Sequence, residues 1–158
     1  SISISGHKFI GSPMPCGIII TKRSNRDRIA TGISYIGSLD TTITGSRNGH
    51  SPLYLWYALK KIGVEGLRKR YLHSLETAEY CKKRLNEVGI NAWINPGGIT
   101  VVLPKTPLAV KQKWQLATES DISHVICMPN VTKSQIDEFI YDIVNCKENT
   151  EEEFDFDF

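Results

Sequence analysis

The opening run Ser1-Ile2-Ser3-Ile4-Ser5-Gly6-His7-Lys8 constrains this chain more than any other segment. Ile2 and Ile4 alternate with three serines, the period of a β-strand with two unlike faces. Gly6 then lets the backbone turn, and an imidazole and an amine follow side by side. A lysine just past the carboxyl end of a strand stands where open α/β sheets place their chemistry. An amine in such a position forms Schiff bases with aldehydes when burial or a neighbouring cation lowers its basicity. His7 is the candidate neighbour.

The rest of the composition excludes more than it selects. Hydrophobic residues make up 41% and charged residues 23% of 158 residues, as in ordinary soluble globular proteins. No apolar run is long enough to span a bilayer, and no membrane partner is expected. No signal peptide opens the chain, but the chain also begins without methionine, inside an expected strand. It therefore reads as the carboxyl-terminal part of a longer protein whose amino-terminal half is missing. Six of the 17 acidic residues fall in 148–158, which leaves eight more basic than acidic residues in the stretch before. Lys60-Lys61, Arg68-Lys69-Arg70 and Lys82-Lys83-Arg84 recur along helical segments as solvated faces do. With no aromatic-interleaved basic stripe, no nucleic-acid partner is expected. Cys16, Cys81, Cys127 and Cys146 stand far apart, without the close spacing of a zinc or redox motif. Free thiols in a cytoplasmic protein and no metal site are the expectation.

Four segments follow from patterning. Residues 1–62 read as the end of a large sheet domain, in which Gly17-Ile18-Ile19-Ile20-Thr21-Lys22 resembles a strand covered on both faces. Residues 38–51 read as a loop, and a helix opens at His50-Ser51-Pro52 and runs to Lys61. Residues 63–89 hold a linking helix, with Leu67, Tyr71, Ala78, Cys81, Leu85 and Val88 at helical spacing and Gly89 as its stop. Residues 90–146 read as a small α+β domain of two helices over an antiparallel sheet. Its expected strands are Ala92–Ile94, Ile99–Leu103 and Ile122–Met128, and its first helix is Pro107–Thr118. Its second helix opens on the capping-box pattern Thr132-Lys133-Ser134-Gln135 and carries the stripe Ile136, Phe139, Ile140 and Ile143. Trp56, Trp93 and Trp114 read as core, and His124 as a strand residue rather than a catalyst. Residues 147–158 form an acidic tail with too few apolar residues to build a core, expected to be disordered.

A second chemically suggestive stretch is Thr44-Gly45-Ser46-Arg47-Asn48-Gly49. Its glycines permit close backbone approach, and its hydroxyls and amides can donate to phosphate oxygens. Arg47 could neutralise charge there or brace the loop, and His50 could cap the following helix.

These segments together carry a family resemblance. Ser3-Ile4-Ser5-Gly6-His7-Lys8, followed by Phe9-Ile10-Gly11-Ser12-Pro13-Met14-Pro15-Cys16-Gly17, resembles the cofactor-lysine segment of pyridoxal-phosphate-dependent group II amino-acid decarboxylases. The histidine/serine decarboxylase branch known from plants is the most similar. The block from Tyr35 to His50 agrees, and the similarity continues to about Val144. The resemblance implies an α/β fold: the carboxyl-terminal part of a fold-type I, aspartate aminotransferase-like enzyme, with the end of the large sheet domain and a small α+β domain. It implies that Lys8 holds pyridoxal 5'-phosphate as a Schiff base and serves in catalysis. It implies that His7 contacts the cofactor and the active-site edge, and that Ser5 can donate to phosphate. Ser46, with Thr44 second, is the implied residue that reaches the cofactor phosphate of a neighbouring subunit, hence a homodimer or higher assembly.

The implied activity is a lyase reaction, L-histidine to histamine and carbon dioxide, with L-serine to ethanolamine as the alternative. A non-catalytic fragment that cannot hold the cofactor alone is the reading from another class. No arginine follows Arg84, so the small domain offers no guanidinium clamp for a substrate carboxylate. That absence favours decarboxylation over transamination, because binding that is equal in ground and transition states does not speed the chemical step.

Overall fold

A computed structural model describes residues 1–42 and 45–146. The expected tail, 147–158, and Thr44 lie outside the described residues. The chain divides into two compact units, Ser1–Arg68 and Lys69–Phe158.

In the first unit, β1 (Ile2–Ser5) and β2 (Gly17–Ile20) form an antiparallel hairpin, with Ile2 opposite Ile20 and Ser5 opposite Gly17. A five-residue π-helical turn, Gly6–Ile10, fills part of the connection. A short polar helix α1 (Arg23–Ile29) follows, then a second hairpin of β3 (Thr31–Ile33) and β4 (Ser38–Asp40). Two expectations are corrected here. The apolar run after Gly17 is not covered on both faces: Ile19 is 74% exposed, because β1 is its one strand neighbour among the described residues and a two-stranded ribbon cannot bury both faces. The expected loop over 38–51 begins with a strand, since Leu39 pairs across the turn with Gly32.

The helical run α2 (His50–Glu87) is broken at Gly63, whose φ of 65° and ψ of 177° belong to a region almost reserved for glycine. Trp56, expected in the core, is exposed on its first part.

The second unit takes residues 69–87 of α2 and a four-stranded antiparallel sheet. The strands β5 (Trp93–Ile94), β6 (Thr100–Pro104), β7 (Ala117–Glu119) and β8 (Ile122–Ile126) lie in the order β5-β6-β8-β7. Helices α3 (Leu108–Trp114) and α4 (Lys133–Asn145) complete it. The helical stripe on α2 buries Ala78, Cys81 and Leu85 completely, while Val88 stays half exposed beyond the last turn. Gly89, at φ 83°, ends the helix: the Ile90 amide donates to the Leu85 carbonyl at 3.0 Å and the Gly89 amide to Asn86 at 3.1 Å, the paired bonds of a Schellman stop. Pro96-Gly97 turns β5 back into β6, with Gly97 at φ 71° and the Gly98 amide on the Asn95 carbonyl at 2.8 Å.

Val101 and Leu103 alternate into the core from β6, and Val110, Cys127, Ile136, Phe139 and Ile140 join them. The capping box forms as expected: the Gln135 amide donates to the Thr132 hydroxyl at 3.2 Å, and the Thr132 amide to the Gln135 side chain at 2.9 Å. The expected helix Pro107–Thr118 is shorter. It stops at Trp114 because Gln115 takes a left-handed conformation, φ 50°, and the chain then enters edge strand β7. Trp93 is exposed on β5 rather than core, whereas Trp114 packs against the core and donates its indole N–H to Asp142 at 2.7 Å.

Two thiols that are remote in sequence meet in this core. Cys81 and Cys127 are fully buried, and a hydrogen bond between them, together with burial, pushes the Cys81 pKa up. No disulfide joins any of the four cysteines.

Candidate active site

The alternating strand β1 delivers Gly6 to a position where the chain must leave the hairpin without losing its hydrogen bonds. The Gly6 amide donates to the Cys16 carbonyl at 2.9 Å, adding one rung beyond the Ser5–Gly17 pair. The Ser12 amide returns to the Gly6 carbonyl at 3.0 Å, and Gly11, at φ 84°, closes the π-helical turn. His7 and Lys8 are therefore the second and third residues of a turn fastened at both ends. Ser12 is buried beneath it, and its hydroxyl donates to the Met14 carbonyl at 3.0 Å.

Position 6 is tight for any side chain. A Cβ there would stand 2.6 Å from Cys16 Sγ, 2.9 Å from Leu55 Cδ2 and 3.2 Å from Ile18 Cδ1. Two of these are closer than real contacts allow, so the thiol and the leucine must move. Gly6→Ala is expected to cost about 1–3 kcal/mol of stability, the usual range for overpacking, and to shift His7 and Lys8 with it. Urea unfolding measures the first effect, and chemical-shift changes at His7 the second. A variant as stable as the parent would mean that the packing around residue 6 is looser than described.

Lys8 is exposed and makes no hydrogen bond or ion pair among the described residues. His7 is also exposed, but its ring does not engage Lys8: Nδ1 accepts the Cys16 amide at 3.2 Å. Ser5 is half-buried and Ser3 exposed on the same face of β1.

The second candidate segment lies between β4 and α2. Asp40 organises its start by accepting the Thr42 hydroxyl at 2.7 Å and the Thr42 amide at 2.9 Å. These two bonds hold the Asp40 pKa below its ordinary value, with a smaller contribution from Arg47. Arg47 donates to the Thr42 hydroxyl and lies 3.9 Å from Asp40, so it braces the loop. Ser46 is exposed beside it, with no hydrogen bond among the described residues. The expected cap, His50, is the first helical residue and leans on the Tyr54 ring at 6.2 Å. The cap is Asn48, whose side-chain oxygen accepts the Ser51 amide at 2.9 Å and hydroxyl at 3.1 Å. Sequence reasoning passed over Asn48, although an asparagine three residues before Ser51 in a loop is a recognisable capping signal. It also missed Cys16, which acts through its backbone and leaves no side-chain signal. No hydrogen bond or ion pair joins the His7–Lys8 turn to the Ser46 loop among the described residues.

No protein-family profile matches the chain. Curated relatives do. A histidine decarboxylase of Mesorhizobium japonicum is 45% identical over 145 residues, 92% of this chain and 39% of the relative. Serine decarboxylase 3 of Oryza sativa subsp. japonica is 50% identical over 143 residues, 89% of this chain and 32% of the relative. The chain thus spans well under half the length of these relatives. Among solved structures, the L-methionine decarboxylase of Streptomyces sp.590 in its internal aldimine form matches with a TM-score of 0.70 and 33% identity, over 89% of this chain and 30% of that one. A sphingosine-1-phosphate lyase of Burkholderia pseudomallei shares the fold at a TM-score of 0.70 and 19% identity, over 90% of this chain and 36% of that one. The fold and the sequence agree: over about nine-tenths of its length the chain is similar to part of the histidine and serine decarboxylases.

Proposed function

We propose that the chain supplies the cofactor lysine and the small domain of a pyridoxal-phosphate-dependent L-amino-acid carboxy-lyase, and that it works within a longer polypeptide. The observation that carries this reading is the fastened turn after β1. It presents the exposed Lys8 amine without a competing partner, in a chain 45% identical to a histidine decarboxylase. The residues present suit the cofactor: an amine for its aldehyde at Lys8, and polar groups for its anionic end at His7, Ser5 and Ser46, with Thr44 in the same loop by sequence. When bound, the cofactor supplies an electron sink for the pair released as the bond from Cα to the carboxylate breaks. Carbon dioxide leaves and one proton is delivered to Cα, giving the amine.

L-Histidine is the proposed substrate and histamine the product. Relatives named for serine are as similar as those named for histidine, so serine to ethanolamine is the competing assignment. The deciding test is a product screen: purified full-length enzyme, cofactor and each amino acid in turn, with the amine identified by mass spectrometry. Histamine is the expected product. Ethanolamine in its place would transfer the assignment to serine, and no amine from any amino acid would end the decarboxylase reading.

Ser46 in its exposed loop is the proposed contact to the cofactor phosphate of a neighbouring copy, so the working form is a homodimer or larger. The bare apolar residues of the first unit, Ile2, Ile19, Ile20, Ile29 and Leu39 among them, support further partners for this unit in the complete enzyme. Four cysteines without a disulfide favour a reducing, cytoplasmic setting. Among the described residues no helix is long and apolar enough to cross a membrane.

A further inference from the structure

We propose that the backbone amide of Cys16 is a positioning group. It fixes His7 as the tautomer protonated on Nε2, so that His7 presents a hydrogen-bond donor to an anionic oxygen of the cofactor held at Lys8. The role toward the cofactor rests on the function proposed above, whereas the tautomer does not.

Two groups of Cys16 face the same ring nitrogen. The amide nitrogen lies 3.2 Å from His7 Nδ1 and the carbonyl oxygen 3.4 Å from it. Only one of the two can bond well, and the choice decides where the ring proton sits. The carbonyl already accepts the Gly6 amide at 2.9 Å, and 3.4 Å is long for a second N–H donor. The amide has no other acceptor among the described residues. Cys16 is half-buried, so an unpaired amide there carries a desolvation cost. A backbone amide only donates, and it therefore requires the Nδ1 lone pair. A neutral imidazole whose Nδ1 accepts must carry its proton on Nε2.

The hairpin makes this arrangement rigid. Cys16 holds Gly6 through its carbonyl and His7 through its amide, so one residue of the entry to β2 clamps two successive residues of the turn. The ring cannot rotate about its side chain without giving up the amide. Its Nε2–H, on the other side of the ring from Nδ1, is then turned away from the Cys16 amide. A donor in that place suits an oxyanion such as a phosphate monoester or a ring oxide. The opposite tautomer would offer a lone pair and repel it.

The test begins on the full-length protein without cofactor. Long-range proton–nitrogen correlation of nitrogen-15-labelled histidine, with His7→Gln identifying the signal, reads the tautomer at a pH where the ring is neutral. The expected pattern is a protonated Nε2 and an unprotonated Nδ1. Cys16→Pro deletes the amide proton while keeping the carbonyl, and is expected to remove the tautomer bias and weaken pyridoxal phosphate binding by roughly tenfold, the loss of one well-oriented bond to a charged group. Cys16→Ala keeps the amide proton and is expected to keep the tautomer. Protonation on Nδ1 in the parent overturns the proposal, as does an unchanged histidine pattern in a folded Cys16→Pro protein. Should Cys16→Pro fail to fold, the parent and Cys16→Ala spectra decide alone. Because the spectra need neither substrate nor cofactor, a failed product screen leaves the tautomer result standing. An Nδ1-protonated ring, conversely, leaves the decarboxylase reading intact.

Discussion

Lys8→Ala in the full-length enzyme is expected to lower amine formation by at least about a hundredfold to ten-thousandfold, the span that a single positioned proton-transfer group supplies. The loss should reach that span because in the proposed function this amine is what attaches the cofactor. The fold should survive. Lys8 is exposed and makes no hydrogen bond or ion pair among the described residues, and the turn that carries it is closed by Gly6, Ser12 and Cys16 backbone groups. Its removal deletes no packing, and exposed substitutions of this kind fall within about 0.5 kcal/mol. Amine assay and thermal unfolding, measured side by side, check both halves. Amine formation near that of the parent would remove Lys8 from the chemistry. Loss of activity together with collapse of the thermal transition would make Lys8 a structural residue instead.

How much of this was readable in advance depends on the range of the interactions involved. The capping box at Thr132 and Gln135 and the helix stop at Gly89 are local: each needs a few consecutive residues, and both form as written in the sequence. The stripe on α2 and the alternation of Val101 and Leu103 are periodic, and the core uses them. The failures lie where position is set from outside the segment. Helix α1 has the sequence Arg-Ser-Asn-Arg-Asp-Arg-Ile and buries none of its residues, so no apolar period announces it. The end of α3 turns on the left-handed conformation of Gln115, a residue type with no special preference for it. Trp56 and Trp93 look like core by residue type, but burial depends on what packs against them, and both stand open.

The candidate site divides in the same way. Lys8 is a candidate because a lysine after an alternating strand is a pattern with a chemical use, and the family resemblance adds His7, Ser5 and Ser46 as candidates. The partner of His7 was not legible. It is a backbone group nine residues away, brought in by the register of β1 on β2 and by the π-helical turn. Arg47 had two readings in the sequence, charge neutralisation or bracing, and its contacts with Thr42 and Asp40 support the second. Cys81 and Cys127 carry no motif spacing, yet the packing of the second unit places one thiol on the other.

Phe139→Ala is expected to be the most destabilising single change in the second unit, at about 3–5 kcal/mol. Phe139 is 2% exposed and meets Trp114 edge to face, with ring centroids 5.5 Å apart and planes at 73°. Its ring thereby joins α4 to the end of α3, the helix that Gln115 cuts short. The removed ring loses its own burial and also the aromatic pair, which adds about 0.5–1.5 kcal/mol beyond area. Relaxation is hindered because Trp114 is tethered: its indole N–H donates to Asp142, and Lys113 next to it bonds the same carboxylate at 2.6 Å. Phe139 also lines a half-open pocket of about 360 Å³ together with Trp114, Leu116, Val125, Val131 and Ile136. Truncation takes the ring's contacts from these neighbours, and the tether on Trp114 limits how far they can close in. Tyr141, two residues along the same helix and 67% exposed, is the control, and Tyr141→Ala should stay within about 0.5 kcal/mol of the parent. Urea denaturation of the three proteins, with equal slopes required for comparison, measures the contrast. Equal losses at the two positions would mean that the Phe139 face of α4 is not the packed one, and the arrangement of α3, α4 and their pocket would have to be redrawn.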